Sequence, residues 1–272
     1  MRGVKGFFQI YRSEGWFGVL FDLMRKPWGT YLRYAESKQL PVVKSAYGVE
    51  LSANYGDATF RYCVTGKYGL FLAQRIRAVQ TPFIFVDIGA NQGVYSLVAA
   101  ANNKALRVYA FEPIHATANR LRENVRINDQ AERVQVIEAA ISSNDGSQTM
   151  AVSDGHTGQA KIVCPTADCS EKFGQQIVAS ISGDTLSSLI EPAGAPIYVK
   201  IDVEGHESTV IDAILNAEIG TRIREIFFEM DENWTDRSVL EDRFQRAGFS
   251  LTSVGNGDHY DMLAVRTAAK KH

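Results

Sequence analysis

The chain has 272 residues, a formal net charge of -2 at pH 7, 45% hydrophobic residues and three cysteines. Its length favours one α/β core with an N-terminal addition over two equal domains, and its charge argues against nucleic acid as a bulk electrostatic partner. Cys63, Cys164 and Cys169 form neither an even disulfide framework nor a zinc pattern, and no membrane-spanning run or secretory leader is read, so a reducing, cytoplasmic setting is expected.

Residues 1–46 hold eight Lys or Arg against three acids, so the segment carries +5 and the remainder -7. Val4, Phe7, Phe8 and Tyr11, then Trp16, Val19, Leu20 and Leu23, recur at helical spacing. That predicts two short amphipathic helices, the second closed by Pro27. Basic flanks with aromatics suit a peripheral membrane contact, or a docking face for a glycosyltransferase or a second subunit. Amphipathic helices more often bury their apolar face internally, so packing on the core is the favoured expectation. In residues 47–80, Tyr47 to Val64 reads as a β-hairpin turning near residues 53–57, and Leu70 to Val79 as a helix leading into the core. Tyr62, Tyr68 and Tyr95 are candidate walls of an acceptor pocket.

Residues 81–268 begin with the central motif. Phe83 to Val86 is a buried strand running through Asp87 into a turn with Gly89 and Gly93, and the chain becomes helical from Val94 onward. The glycines permit a tight turn and close approach of a ligand. A second strand, Val108 to Phe111, ends in Glu112, a carboxylate placed to accept both hydroxyls of a ribose. The Gly-x-x-x-Gly spacing lacks the third glycine of a dinucleotide fingerprint. A carboxylate at Asp87 would repel a pyrophosphate and suit an ammonium or sulfonium group, a combination that points to S-adenosylmethionine.

A third strand is read over Arg133 to Ala140, a patternless cover over residues 153–180, and a helix over Gly183 to Leu189. The strand Ile197 to Ile201 then ends in Asp202-Val-Glu204-Gly-His206-Glu207, which a doubly wound sheet would aim at the ligand crevice. His206 is the first choice for a general base, with Asp202 or Glu204 orienting its ring. Asp202 is second choice, Glu207 has a structural alternative at the helix start, and Lys200 has one in pairing with an acid. These acids with Glu229 and Asp231 could hold magnesium, but the spacing matches no recognised metal loop and no metal site is expected. His115, His156, His259 and His272 have no supporting motif. A helix over Val210 to Leu215, a fifth strand over Glu225 to Glu229, a helix over Leu240 to Ala247 and terminal antiparallel strands, Phe249 to Val254 and Met262 to Val265, complete the order.

The blocks VDIGANQGVYSL (86–97), YAFEP (109–113), LRENVRIN (121–128) and YVKIDVEGHE (198–207) resemble those of the FkbM-type S-adenosylmethionine-dependent methyltransferases, over about residues 48–265. The resemblance implies a class I methyltransferase, Rossmann-like fold and O-methylation of a hydroxyl, often on a sugar or a secondary metabolite. It implies cofactor contacts at Asp87, Gly89, Asn91, Gly93 and Glu112, and it places the block from Asp202 to Glu207 beside the transferred methyl group, with Asp202 also toward the cofactor. Many relatives bind adenine through an acid after the third strand. Here Glu138, backbone amides near Ala140 and apolar contact all remain open. The expected architecture is a seven-stranded, mostly parallel sheet with an antiparallel edge. The competing functions are a NAD(P)-dependent oxidoreductase and a non-catalytic adaptor docking through residues 1–46.

Overall fold

The computed structural model of the protein describes residues 25–152, 161–162, 174–191, 194–232, 236–254 and 259–267. The helices expected over Val4 to Leu23 lie outside these residues, as do Cys164, Cys169, His156 and His272. Residues 25–37 form helix α1, and Pro27 lies within its first described turn, so this proline closes no helix. Leu32 and Ala35 join the same buried cluster as Val43, Phe60, Phe83 and Val98. This part of the N-terminal segment therefore packs on the core, leaving Lys26, Arg33, Tyr34 and Lys38 exposed.

Strands β1 (Val42–Lys44) and β2 (Glu50–Ser52) pair antiparallel. The hairpin thus turns within residues 45–49, not 53–57, and Ala58–Thr65 is helix α2 rather than a strand. The difference has a local cause. Asp57 accepts a hydrogen bond from the Phe60 amide as N-cap, and Gly66 ends the helix in the left-handed region. Buried Phe60, Cys63 and Val64 follow helical spacing rather than alternation.

The chain continues with α3 (Phe71–Arg77), β3 (Phe83–Ile88), α4 (Val94–Ala100), β4 (Ala105–Phe111), α5 (His115–Ile127) and β5 (Val134–Ile137). Next come β6 (Ala140–Ile141), β7 (Gly146–Val152), β8 (Lys161–Ile162), β9 (Gly174–Ile181) and α6 (Gly183–Leu189). The last part holds β10 (Ile197–Ile201), α7 (Glu207–Asn216), β11 (Ile223–Asp231), α8 (Arg237–Arg246), β12 (Phe249–Val254) and β13 (His259–Arg266). On α5, Asn124 Oδ1 accepts from the Ser52 amide at 2.7 Å, and Asn128 just beyond it exchanges two hydrogen bonds with the Glu50 backbone. The asparagines of the 121–128 block therefore cover the free edge of β2.

The main sheet has seven strands in the order β12-β13-β11-β10-β3-β4-β5. Pairings from β11 to β5 are parallel, and β13 runs antiparallel to both β11 and β12. This is the class I methyltransferase arrangement expected. Strand β3 is buried on both faces, with Phe83 and Phe85 in one core and Ile84, Val86 and Ile88 in the other, which is why it reads as a continuous apolar run. Strand order reverses between β3 and β10, so the ligand crevice opens at their C-terminal ends.

Two expectations change beyond β5. The third strand leaves the main sheet after Ile137, and Ala140–Ile141 enters a second, four-stranded sheet in the order β6-β9-β7-β8. The segment read as a patternless cover contains β8 and all but the last residue of β9, which pairs with β7 from Gly174 to Ser180. Residues 174–177 are exposed, so that strand carries no apolar alternation by which to recognise it. Among the described residues no helix is long and apolar enough to cross a membrane.

Candidate active site

After Asp87 and Ile88 the chain turns through Gly89, Asn91 and Gly93, all at positive φ, into α4. A Cβ on Gly89 would stand 1.8 Å from the Asp202 carbonyl oxygen, and one on Gly93 would stand 2.0 Å from Leu121 Cδ1. Gly89 is therefore required by the close approach of the backbone after β10, and Gly93 is favoured by its left-handed φ of +83°. Asp87 is fully buried and absent from the cavity wall. Its Oδ2 accepts from Ser96 Oγ at 2.7 Å, and its Oδ1 lies 3.4 Å from Lys200 Nζ. Asp87 thus meets Lys200 at the strand tip, behind the cavity wall.

A cavity of about 540 Å³ opens at the strand ends, roofed in part by α2. On its β4–β5 side stand Glu112, Ala139, Ala140, Ile141 and Met150 beside the 89–93 turn. Glu112 is 6% exposed and accepts hydrogen bonds from the amides of Asn91 at 3.0 Å and Ile114 at 2.9 Å. Burial pushes its carboxyl up to about 7 against the lowering effect of those two bonds. If Glu112 accepts the ribose hydroxyls, as the resemblance implies, it does so in the ionised form, and cofactor affinity should fall about tenfold from pH 8 to pH 6 as Glu112 takes up a proton. Calorimetric titration across that range is the check. A flat affinity would remove Glu112 from the ribose contact.

Glu138 is not on the cavity wall. One of its oxygens lies 2.7 Å from His115 Nδ1 and the other accepts from Arg122 at 3.0 Å, which holds the carboxylate on the surface. Ala140 does line the cavity, with apolar Ile141 and Met150 near it. Met150 comes from β7 of the second sheet, so its place was not legible without that sheet.

On the β10–β11 side the wall holds Asp202, Glu204, His206 and Glu229. Glu207 takes the structural role foreseen for it. Its carboxylate accepts from the amides of Val203 at 3.1 Å and Gly205 at 3.0 Å, folding the loop back on the helix start. Glu204 sits at a φ of 53°, a strained position for a residue with a Cβ. Asp202, Glu204 and Glu229 each bring an oxygen within 4.8 Å of the others, a donor set that suits a hard cation, and Asp231 is outside it. His206 lines the cavity with its Nε2 buried and without a hydrogen-bond partner. The carboxylate contact expected to orient the ring is not made at that atom. Burial lowers the pKa of this imidazole from its ordinary value, which favours the unprotonated ring.

Tyr68 and Tyr95 line the cavity as expected of walls, while Tyr62 stands behind Tyr68 in an edge-to-face contact with centroids 5.9 Å apart. Thr59, Cys63 and Lys67 also line it. Sequence reasoning missed Thr59 and Cys63 because residues 58–64 were read as a strand, and it singled out nothing at Lys67. The Asp57 cap followed by helical spacing of apolar residues was the available signal. His115 is drawn to Glu138 and is absent from the wall, and the side chain of His259 lies outside the described residues.

Residues 87–251, more than half of the chain, match the model of the methyltransferase FkbM domain. Methyltransferase sdnD of Sordaria araneosa is 26% identical over 214 residues, covering 68% of this chain and 81% of that protein. Hexuronic acid methyltransferase AglP of Haloferax volcanii is 31% identical over 133 residues, covering 48% of this chain and 49% of that protein, so the match spans about half of each. Among solved structures, the O-methyltransferase TomG of Streptomyces achromogenes matches at 13% identity with a TM-score of 0.46, covering 89% of this chain and 90% of that one. With the domain match lying across the glycine turn, Glu112 and the acidic loop, the chain belongs to the FkbM methyltransferase family and is an S-adenosylmethionine-dependent methyltransferase.

Proposed function

We propose that the chain methylates a hydroxyl of a sugar, glycan or secondary metabolite. The observation that carries this reading is a half-buried His206, its Nε2 without a hydrogen-bond partner, sharing one cavity with Glu112 and the 89–93 turn. The fit to the cofactor rests on Glu112, a buried carboxylate facing a polar turn. When bound, S-adenosylmethionine supplies an electrophilic methyl group on a sulfonium centre. Glu112 would hold the ribose, Ala140 with Ile141 and Met150 would flank the adenine, and the backbone from Gly89 to Gly93 with Asp202 would hold the amino-acid end. His206 accepts the acceptor's hydroxyl proton at Nε2, the atom left without a partner. Glu204 and Glu229 accept hydrogen bonds from neighbouring hydroxyls and so orient a polyol. The exposed phenol ring of Tyr68 offers a flat face to a pyranose. A relative named for hexuronic acid methylation supports a sugar acceptor.

The test is transfer of labelled methyl from S-adenosylmethionine to a panel of hexoses, hexuronic acids and glycosylated metabolites, with magnesium or with a chelator. A labelled product stable to mild alkali, formed equally in both conditions, is the expected methyl ether. An alkali-labile product would be a carboxyl ester and would overturn the hydroxyl assignment. Loss of turnover with the chelator would move Asp202, Glu204 and Glu229 into a metal role.

A further inference from the structure

Gln92 lies inside the glycine turn, and its side chain has no part in the chemistry described so far. It is 1% exposed and lines the cavity. Among the described residues neither its Nε2 nor its Oε1 has a hydrogen-bond partner. The backbone that carries it is held from both sides. The Asn91 amide donates to Glu112 at 3.0 Å, and the Gln92 carbonyl accepts from Nδ2 of the fully buried Asn124 at 2.8 Å. A buried amide with both ends unpaired lowers stability, because each end has given up water without a replacement. A ligand that brings a donor and an acceptor to the same point removes that cost.

An ammonium beside a carboxylate, the amino-acid end of S-adenosylmethionine, is such a pair. Its carboxylate would enter a cavity walled by Asp202, Glu204, Glu229 and Asp261, so it needs donors. Among the described lining residues the cations are Lys67 and Lys200. The ammonium of Lys200 is taken up by the Gly89 carbonyl at 2.7 Å, Asp87 at 3.4 Å and Asp202 at 3.3 Å. That of Lys67 lies 3.7 Å from the centroid of the Tyr62 ring, just beyond α2. A neutral amide N–H within the turn supplies a donor where no cation is at hand. We propose that the side chain of Gln92 binds the amino-acid end of the cofactor, Nε2 donating to the carboxylate and Oε1 accepting from the ammonium. This rests on the cavity being the S-adenosylmethionine site, and it adds a side-chain contact to those of the turn backbone and Asp202. In the ligand-free protein an apolar side chain of similar volume would suit the position better than the amide does.

The experiment is calorimetric titration of wild type and Gln92→Met with S-adenosylmethionine and with decarboxylated S-adenosylmethionine, at one pH, together with thermal unfolding of both ligand-free proteins. The two ligands differ by the carboxylate alone, so contacts to adenine, ribose, sulfonium and amine cancel from their affinity ratio. Gln92→Met should bind S-adenosylmethionine roughly tenfold to a hundredfold more weakly than wild type, the worth of a hydrogen bond to a charged group. The affinity for the decarboxylated ligand should fall much less, so the preference of the wild type for the carboxylate should shrink. The ligand-free variant should melt no lower than wild type, a result that a merely structural amide would not give. Equal loss of affinity for both ligands, a lower melting temperature or failure of Gln92→Met to fold would each make the amide structural and overturn the proposal. Unchanged affinities for both ligands overturn it too, and a raised acceptor KM would then assign the amide to the acceptor. A wild type that binds neither ligand would instead refute the cofactor site.

Discussion

Replacing Gly89 by alanine is expected to lower stability by about 2–5 kcal/mol, the sum of a backbone strain and an unrelieved collision, and to weaken cofactor binding at least about a hundredfold. Gly89 has a φ of +74°, where a side chain costs about 1–2 kcal/mol. The added Cβ would also sit 1.8 Å from the Asp202 carbonyl oxygen, a backbone atom that no rotamer change can move. Relief requires the ends of β3 and β10 to part. Those ends are joined by the bond from the Asp202 amide to the Ile88 carbonyl and by Lys200 on the Gly89 carbonyl. Parting them breaks the floor of the cavity as well as the sheet. Gly194 is the control, because its φ is +85° yet a Cβ there meets nothing within 4 Å. Thermal unfolding and cofactor titration of both variants decide the matter. If Gly89→Ala is as mild as Gly194→Ala, the close approach of the two strand ends is not what demands glycine.

His206→Ala should lower kcat by about 10²–10⁴-fold, the range for loss of a general base. Cofactor affinity should change little, because the ring would act on the acceptor. Stability should also hold, since His206 stands at the N-cap of α7 without a side-chain capping bond. The pH profile carries the sharper test. A base must be unprotonated to act, and burial lowers this imidazole from its usual value. At saturating cofactor, kcat of the wild type should therefore rise with pH through a limb below the ordinary histidine range and stay level above it. The limb should vanish in the variant, leaving a low, flat rate in that range. Retention of full turnover by His206→Ala, measured with an acceptor found by the methyl-transfer panel, would move the base to Asp202 or elsewhere.

The sequence by itself determined the elements whose signals are local. The run Phe83 to Ile88 is apolar because both of its faces are buried, and the same holds for Ile197 to Ile201, so both strands and the crevice between them were legible. Gly89, Gly93, Glu112 and the acids after β10 could be placed because a parallel α/β sheet presents its strand ends at one edge. The helix Gly183–Leu189 was legible to the residue, with Ser182 capping it through the Thr185 amide.

Only the tertiary structure decided what depends on residues far apart in the chain. Alternation and helical spacing compete over a stretch as short as 58–65, and the Asp57 cap together with the buried face settled it as a helix that roofs the cavity. Strand β9 has an exposed, polar first half, so its pairing with β7 leaves no hydrophobic period to read. The position of Asp87 at a strand tip was visible, and so was the tendency of Lys200 to pair with an acid, but that Lys200 lies between Asp87 and Asp202 is set by the pairing of β3 with β10. Glu138 likewise looked free until α5 brought His115 and Arg122 to it. Local patterns encode which faces are buried; which charges meet is set by chain crossings that no local pattern records.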